Sequence, residues 1–227
     1  MRVCTLKDER GDSMTIKMVD ENKSAKYWRG YSFLAVMSAT ILLLSNLAAT
    51  KIFSLLGIPV DGGVIIYPIS FILGDLIVEK YGQKRANRII YWSALMNVVA
   101  MAILLVVKIL PPYESWHNQN AFETILGFAP RVMLGSVLAF VASGLVNNFS
   151  FIEYKKKGGK FISRAILSSL IAKVFDVMIF EMVAFLGILP FKDFLLQMLF
   201  AYVVSIAIEI VCSPLTSLIA TKMKKDF

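Results

Sequence analysis

Six apolar runs dominate the chain, over residues 31–50, 64–79, 86–110, 131–152, 164–188 and 194–220. A bilayer core needs about 20 helical residues to cross. Runs of this number and length predict an all-α, polytopic membrane protein with six transmembrane helices. The 227 residues are 57% apolar and 18% charged, below the roughly 25% charge of an ordinary soluble domain. The second run is short and carries Pro68. It predicts a helix that is broken at the proline, tilts little or sits in locally thinned bilayer.

Positive charge sets the orientation. Lys23, Lys26 and Arg29 precede the first run. Lys80, Lys84, Arg85 and Arg88 separate the second from the third. Lys155, Lys156, Lys157, Lys160 and Arg164 separate the fourth from the fifth, and Lys222, Lys224 and Lys225 follow the sixth. The other connections hold only Lys51, Lys192 and, at their edges, Lys108 and Arg131. With six spans every rich cluster falls on one side, which the positive-inside rule makes cytoplasmic, with both termini inside. The net charge of +8 is then topology, with the anionic inner leaflet of the lipid bilayer as its partner and no nucleic acid. Trp28, Trp92, Trp116, Tyr27, Tyr91 and Tyr113 lie near run ends, as interfacial aromatics do. The connection from Pro111 to Pro130 is expected outside, as a loop, a short interfacial helix or a lid.

Residues 1–25 are polar and of mixed charge, without the apolar core of a signal peptide. They are expected to form a flexible cytoplasmic tail ahead of a six-helix transmembrane domain over 26–227. Cys4 and Cys212 suggest neither a disulfide framework nor a metal cluster. Gly158-Gly159-Lys160 lacks the upstream glycine of a phosphate-binding loop, and neither H-E-x-x-H nor G-x-S-x-G occurs. His117, the single histidine, reads as a solvated loop residue. No catalytic residue, metal or cofactor is expected, and the chain reads as a carrier, channel or subunit rather than an enzyme.

Polar groups inside the runs carry the functional signal. Asp75 and Glu79 stand at i,i+4 on one helical face. An acid near the bilayer centre costs about 2.5–3.5 kcal/mol on the insertion scale, so retained charges point to a ligand, ion or proton path. The plain alternative is a helix end in headgroup water, most natural for Glu79 beside Lys80. Lys173 and Asp176 stand at i,i+3 and can pair. Asn97 reads as interhelical glue, and Ser205 as bonded to its own helix. Ser45, Asn46, Tyr67, Ser70, Asn147, Asn148, Glu181 and Glu209 complete the set.

These residues also form a pattern. Asn46-x-x-x-x-Lys51, Asp61-Gly62-Gly63, Tyr67-Pro68, Asp75-x-x-x-Glu79-x-Tyr81-Gly82 and Ala86 resemble the signature of the queuosine precursor transporter family, also called the vitamin uptake transporter family. Looser similarity runs through Pro130-Arg131, Ser136, Ala139-Phe140, Ser143, Arg164, Ser168, Asp176, Phe180, Tyr202 and Ser213-Pro214. The chain departs from the family at Gly144 and Asn147, where Gln and Asp are usual, at Lys173 for Gln, and at Ser205 for Lys. The resemblance implies a prokaryotic inner or plasma membrane location, multi-pass topology and import of a 7-deazaguanine base (preQ0, preQ1 or queuine). The alternative is a substrate-binding membrane subunit of a multi-component importer.

The residue chemistry is compatible with such a purine-like small molecule. A carboxylate accepts N–H bonds from its pairing edge, and an Asn amide offers one donor and one acceptor. The substrate-binding candidates are Asn46, Tyr67, Phe71, Asp75, Lys173 and Asp176, with Tyr67 and Phe71 able to stack on the ring. Asp176 is the second acid that a cationic, aminomethyl-bearing base would want. Lys51, Glu79, Asn147 and Ser205 are candidates for gating or support. A homodimer is left open.

Overall fold

The computed structural model describes residues 3–7, 13–17 and 21–225. Val3–Lys7 (β1) and Ser13–Lys17 (β2) pair as an antiparallel hairpin. The other positions of the expected tail, 1–2, 8–12 and 18–20, lie outside the described residues. Glu21–Ala48 (α1) starts ten residues before the first apolar run. Ile52–Leu55 (β3) and Ile58–Asp61 (β4) follow as a second hairpin. Then come Gly63–Ile66 (α2), Pro68–Tyr81 (α3), Gln83–Ile109 (α4), Gln119–Lys156 (α5), Phe161–Phe185 (α6) and Phe191–Lys225 (α7).

The expected break at Pro68 is present. The proline is the first residue of α3, where its missing N–H is not needed. Gly82, at φ 82°, then separates α3 from α4, a backbone region that favours glycine. The connection before α5 is shorter than expected. α5 begins at Gln119 and runs through Pro130, so the helix gains most of the predicted outer loop. A proline removes one hydrogen bond from a helix interior, a loss that a helix packed among others tolerates.

Among the described residues four helices are long and apolar enough to cross a membrane: α1 from Ser24, α4, α5, and α7 to Met223. α3 has 14 residues, about 21 Å at helical rise. α6 has the length, with 25 residues, but carries Arg164, Lys173, Asp176 and Glu181.

Burial is inverted relative to a soluble protein. Leu95, Met96, Val99, Ile103 and Val106 of α4, and Leu199, Val203, Val211, Leu215 and Leu218 of α7, face outwards, while serines, asparagines and charges are buried between helices. Such a coat suits a lipid solvent, in which small and polar residues are left to join the helices. Asn46 Nδ2 donates to Asn97 Oδ1 at 3.0 Å, and Asn97 Nδ2 to the Ser93 carbonyl at 3.0 Å, so Asn97 does tie α1 to α4. α5 packs along both α4 and α6. At one end of that pair, Arg131 of α5 donates to the carbonyls of Val183 (2.6 Å) and Leu186 (2.5 Å).

The β3–β4 hairpin turns at Leu56 and Gly57, both at positive φ (54° and 80°), as a two-residue primed turn requires. The Gly62 N–H donates to the Lys51 carbonyl at 2.9 Å and closes the loop. Val60, fully buried, packs with Val64, Val177 and Ala201. Gly62 lies so close to the end of α1 that a Cβ would stand 2.4 Å from the Ala48 carbonyl oxygen. Backbone cannot give way there as a side chain would. Gly62→Ala is expected to destabilise the protein by about 1–3 kcal/mol, the usual cost of overpacking. Melting of the detergent-solubilised variant checks this, and an unchanged melting temperature would contradict the close seat.

Candidate functional site

A cleft of about 450 Å³, open solvent included, lies between α1, the β3–β4 hairpin, α5, α6 and α7. Each element places one or two polar groups on it: Ser45 and Asn46 from α1, Asp61 from β4, Tyr67 from the α2–α3 junction, Ser136 from α5, Asp176 and Glu181 from α6, and Ser205 from α7. The local reasons are visible in the backbone. Asp61 Oδ1 accepts the Gly63 N–H at 2.8 Å, which turns the chain from the hairpin into α2. Pro68 then starts α3 and leaves Tyr67 at the junction.

One wall is a three-residue knot. The Tyr67 hydroxyl donates to Asp176 Oδ1 at 2.6 Å, and Ser143 Oγ donates to the same oxygen at 2.9 Å. Both bonds fall on Oδ1, and Asp176 lines the cavity. Ser143 also lines a second cavity of about 410 Å³, with Ser70, Phe71, Phe140, Asn147 and Asn148. The knot therefore stands between the two spaces.

Beyond it lie two buried ionic layers. In one, Lys173 Nζ is 2.6 Å from Glu209 Oε2 and donates to the Ser205 carbonyl at 2.7 Å. The Glu209 contact is an ion pair without an aligned hydrogen bond, since neither carboxylate oxygen has one. The Lys173 ammonium lies 5.0 Å from the centre of the Phe71 ring, a cation–π distance. Asp75, 1% exposed, accepts from Asn147 Nδ2 at 2.8 Å, and Asn147 Oδ1 accepts from Ser169 at 3.4 Å. In the other layer, Arg164 grips Glu79 with both terminal nitrogens, at 3.1 and 3.2 Å, and Lys155 adds a contact at 2.9 Å. Arg164 also lies over the Phe151 ring.

The structure thus brings Asn46, Tyr67, Asp176 and Ser205 to one cavity. Phe71 and Asn147 line the other. Asp75 lines neither of these two spaces. Lys51 is exposed and contributes its carbonyl to the hairpin. Two expectations are corrected. Lys173 pairs with Glu209 of α7 rather than with Asp176, because helix packing places that carboxylate nearer than the i,i+3 neighbour. Glu79 is not a solvated helix end but a buried acid held by two cations from α5 and α6. The first cavity also uses Asp61, Ser136 and Phe180, and the second Ser143, all of which entered the sequence reading only as matches to a pattern. Glu181 was visible there as one of the polar groups inside the apolar runs.

Known proteins resemble this chain along most of its length. A probable queuosine precursor transporter of Bacillus subtilis (strain 168) is 29% identical over 199 residues, 83% of this chain and 84% of the relative. A queuosine precursor transporter of Escherichia coli (strain K12) is 25% identical over 158 residues, 70% of each chain. No solved structure matches. The family model described as "putative vitamin uptake transporter" matches residues 61–219, a stretch that holds the hairpin's last residue, the Tyr67–Asp176–Ser143 knot and both ionic layers. The chain belongs to the vitamin uptake transporter family.

Proposed function

We propose that this protein imports a queuosine precursor, a 7-deazaguanine base, across the inner or plasma membrane of a bacterium through six spans, with both termini cytoplasmic. The knot at Asp176 is the observation that carries this reading. Tyr67 and Ser143 occupy one carboxylate oxygen, and the other accepts an N–H from the base's pairing edge. Tyr67 and Phe180 supply flat faces, and Asn46, already bonded to Asn97, fixes that end of the wall. The names of the two bacterial relatives give the same substrate class. α3 and α6 cross with the other four helices. Their polar residues face the interior, where such groups belong in a membrane bundle.

The cavity belongs to the outer half, beside the hairpin, and the ionic layers close the inner half. The Lys and Arg clusters support this orientation. A cysteine placed at position 117 is expected to react with an impermeant reagent from outside, and one at position 157 only after the cells are opened. The reverse pattern would end the topology.

Uptake of labelled deazaguanine bases by cells lacking their own importer tests the function. Accumulation above the empty-vector control is expected. The purified chain reconstituted alone in liposomes is expected to carry the base as well. Uptake in cells without transport in liposomes would instead mean that the chain is the binding subunit of a larger importer.

A further inference from the structure

Among the described residues six acids are buried, Asp61, Asp75, Glu79, Asp176, Glu181 and Glu209, against two bases, Arg164 and Lys173. Both bases are engaged, Arg164 on Glu79 and Lys173 on Glu209. Asp75 is held by Asn147. The other three acids, Asp61, Asp176 and Glu181, all line the larger cavity, and no lysine or arginine lines it with them.

The three are not equally satisfied. Asp61 accepts the Gly63 N–H, and Asp176 takes two hydroxyls. Glu181 is 1% exposed and accepts from Gln197 Nε2 at 2.8 Å through Oε2 alone. Its Oε1 has no hydrogen-bond partner. A buried carboxylate oxygen left bare is among the costlier arrangements a protein can hold. A bare acceptor on an acid at the wall of a cavity with three acids and no base asks for a donor that carries positive charge.

We infer that the cavity seats a cation against Glu181, which Gln197 holds in place, with Asp61 and Asp176 supplying the surrounding negative field. The ligand of choice is the ammonium group of an amine-bearing heteroaromatic base. Its N–H donors satisfy Glu181 Oε1 while the ring lies towards Tyr67. A free monovalent cation has the same chemistry and is the other source. The assignment deepens the proposed transport function, since it makes Glu181 the residue that distinguishes an aminomethyl-bearing deazaguanine from its neutral cyano counterpart.

Melting of the purified full-length protein tests the site without assuming the base. Benzylamine, cationic at pH 7, is expected to raise the melting temperature of the wild type, and neutral benzyl alcohol is not. Glu181→Gln is expected to abolish the response. Gln197→Lys, which places a tethered ammonium at Glu181, is expected to melt higher and to ignore benzylamine. Sodium stabilising the wild type where benzylamine does not, with the effect lost in Glu181→Gln, would assign the site to a free cation. No stabilisation of the wild type by either cation, or an undiminished response in either variant, overturns the inference. Competition between the two deazaguanines separates this from the transport reading. A wild-type preference for the aminomethyl form that falls about tenfold in Glu181→Gln supports both. Benzylamine stabilisation with no binding of either base would leave the cation site standing and remove the queuosine precursor.

Discussion

Lys173→Gln is expected to destabilise the protein by about 3–5 kcal/mol, the usual result of removing one partner from a buried ion pair. The effect follows from what would be left behind. Glu209 is 3% exposed, and neither of its oxygens takes a hydrogen bond. Without the ammonium it is a bare buried charge. The Phe71 face and the Ser205 carbonyl would lose the same cation. Ser205→Lys is expected to recover much of the loss, because residue 205 lies one turn before Glu209 on α7 and its carbonyl is already 2.7 Å from Lys173 Nζ. Lys173→Gln with Glu209→Gln should also recover stability, since it removes both charges together. Melting in detergent and uptake in cells measure all three. Additive damage in both double variants would mean that the pair contributes little.

Asp176→Asn is expected to lower uptake at least tenfold at normal membrane abundance, a loss of about 1.5–3 kcal/mol for a hydrogen bond to a charged group. The amide keeps the volume, and its oxygen can still accept from Tyr67 and Ser143. The second atom changes from an acceptor to a donor, so it meets the N–H edge of the base with the wrong polarity. Uptake should therefore fall while the melting temperature moves little. Near-normal uptake would leave Asp176 as a strut between the two cavities and nothing more.

The helical division of the chain was legible because apolar runs of bilayer length have few other outcomes. The break at Pro68 was legible for a local reason, the fixed φ and missing donor of proline. The same reasoning misjudged Pro130, since a proline inside a packed helix differs from one in a loop only through its neighbours. The β3–β4 hairpin had no signal. Its turn is Leu56-Gly57 rather than the Asn-Gly or Asp-Gly that marks such turns. At the site, Asn46, Tyr67, Asp176 and Ser205 could be named because each is a polar residue where lipid was expected. Their sorting into a cavity, a knot and an ionic layer could not. Lys173 shows why: sequence spacing ranks Asp176 first, and only the approach of α7 supplies Glu209.

The guanidinium of Arg131 caps the carbonyls at the end of α6, and Lys155 and Arg164 join α5 and α6 to one carboxylate at the other end. These two helices are therefore tied to each other at one end and to Glu79 of α3 at the other. α7 joins α6 by other means, the Lys173–Glu209 ion pair and the hydrogen bonds of Gln197 and Tyr202, so a substitution at Lys173 acts on that seam and leaves the ties between α5 and α6 intact.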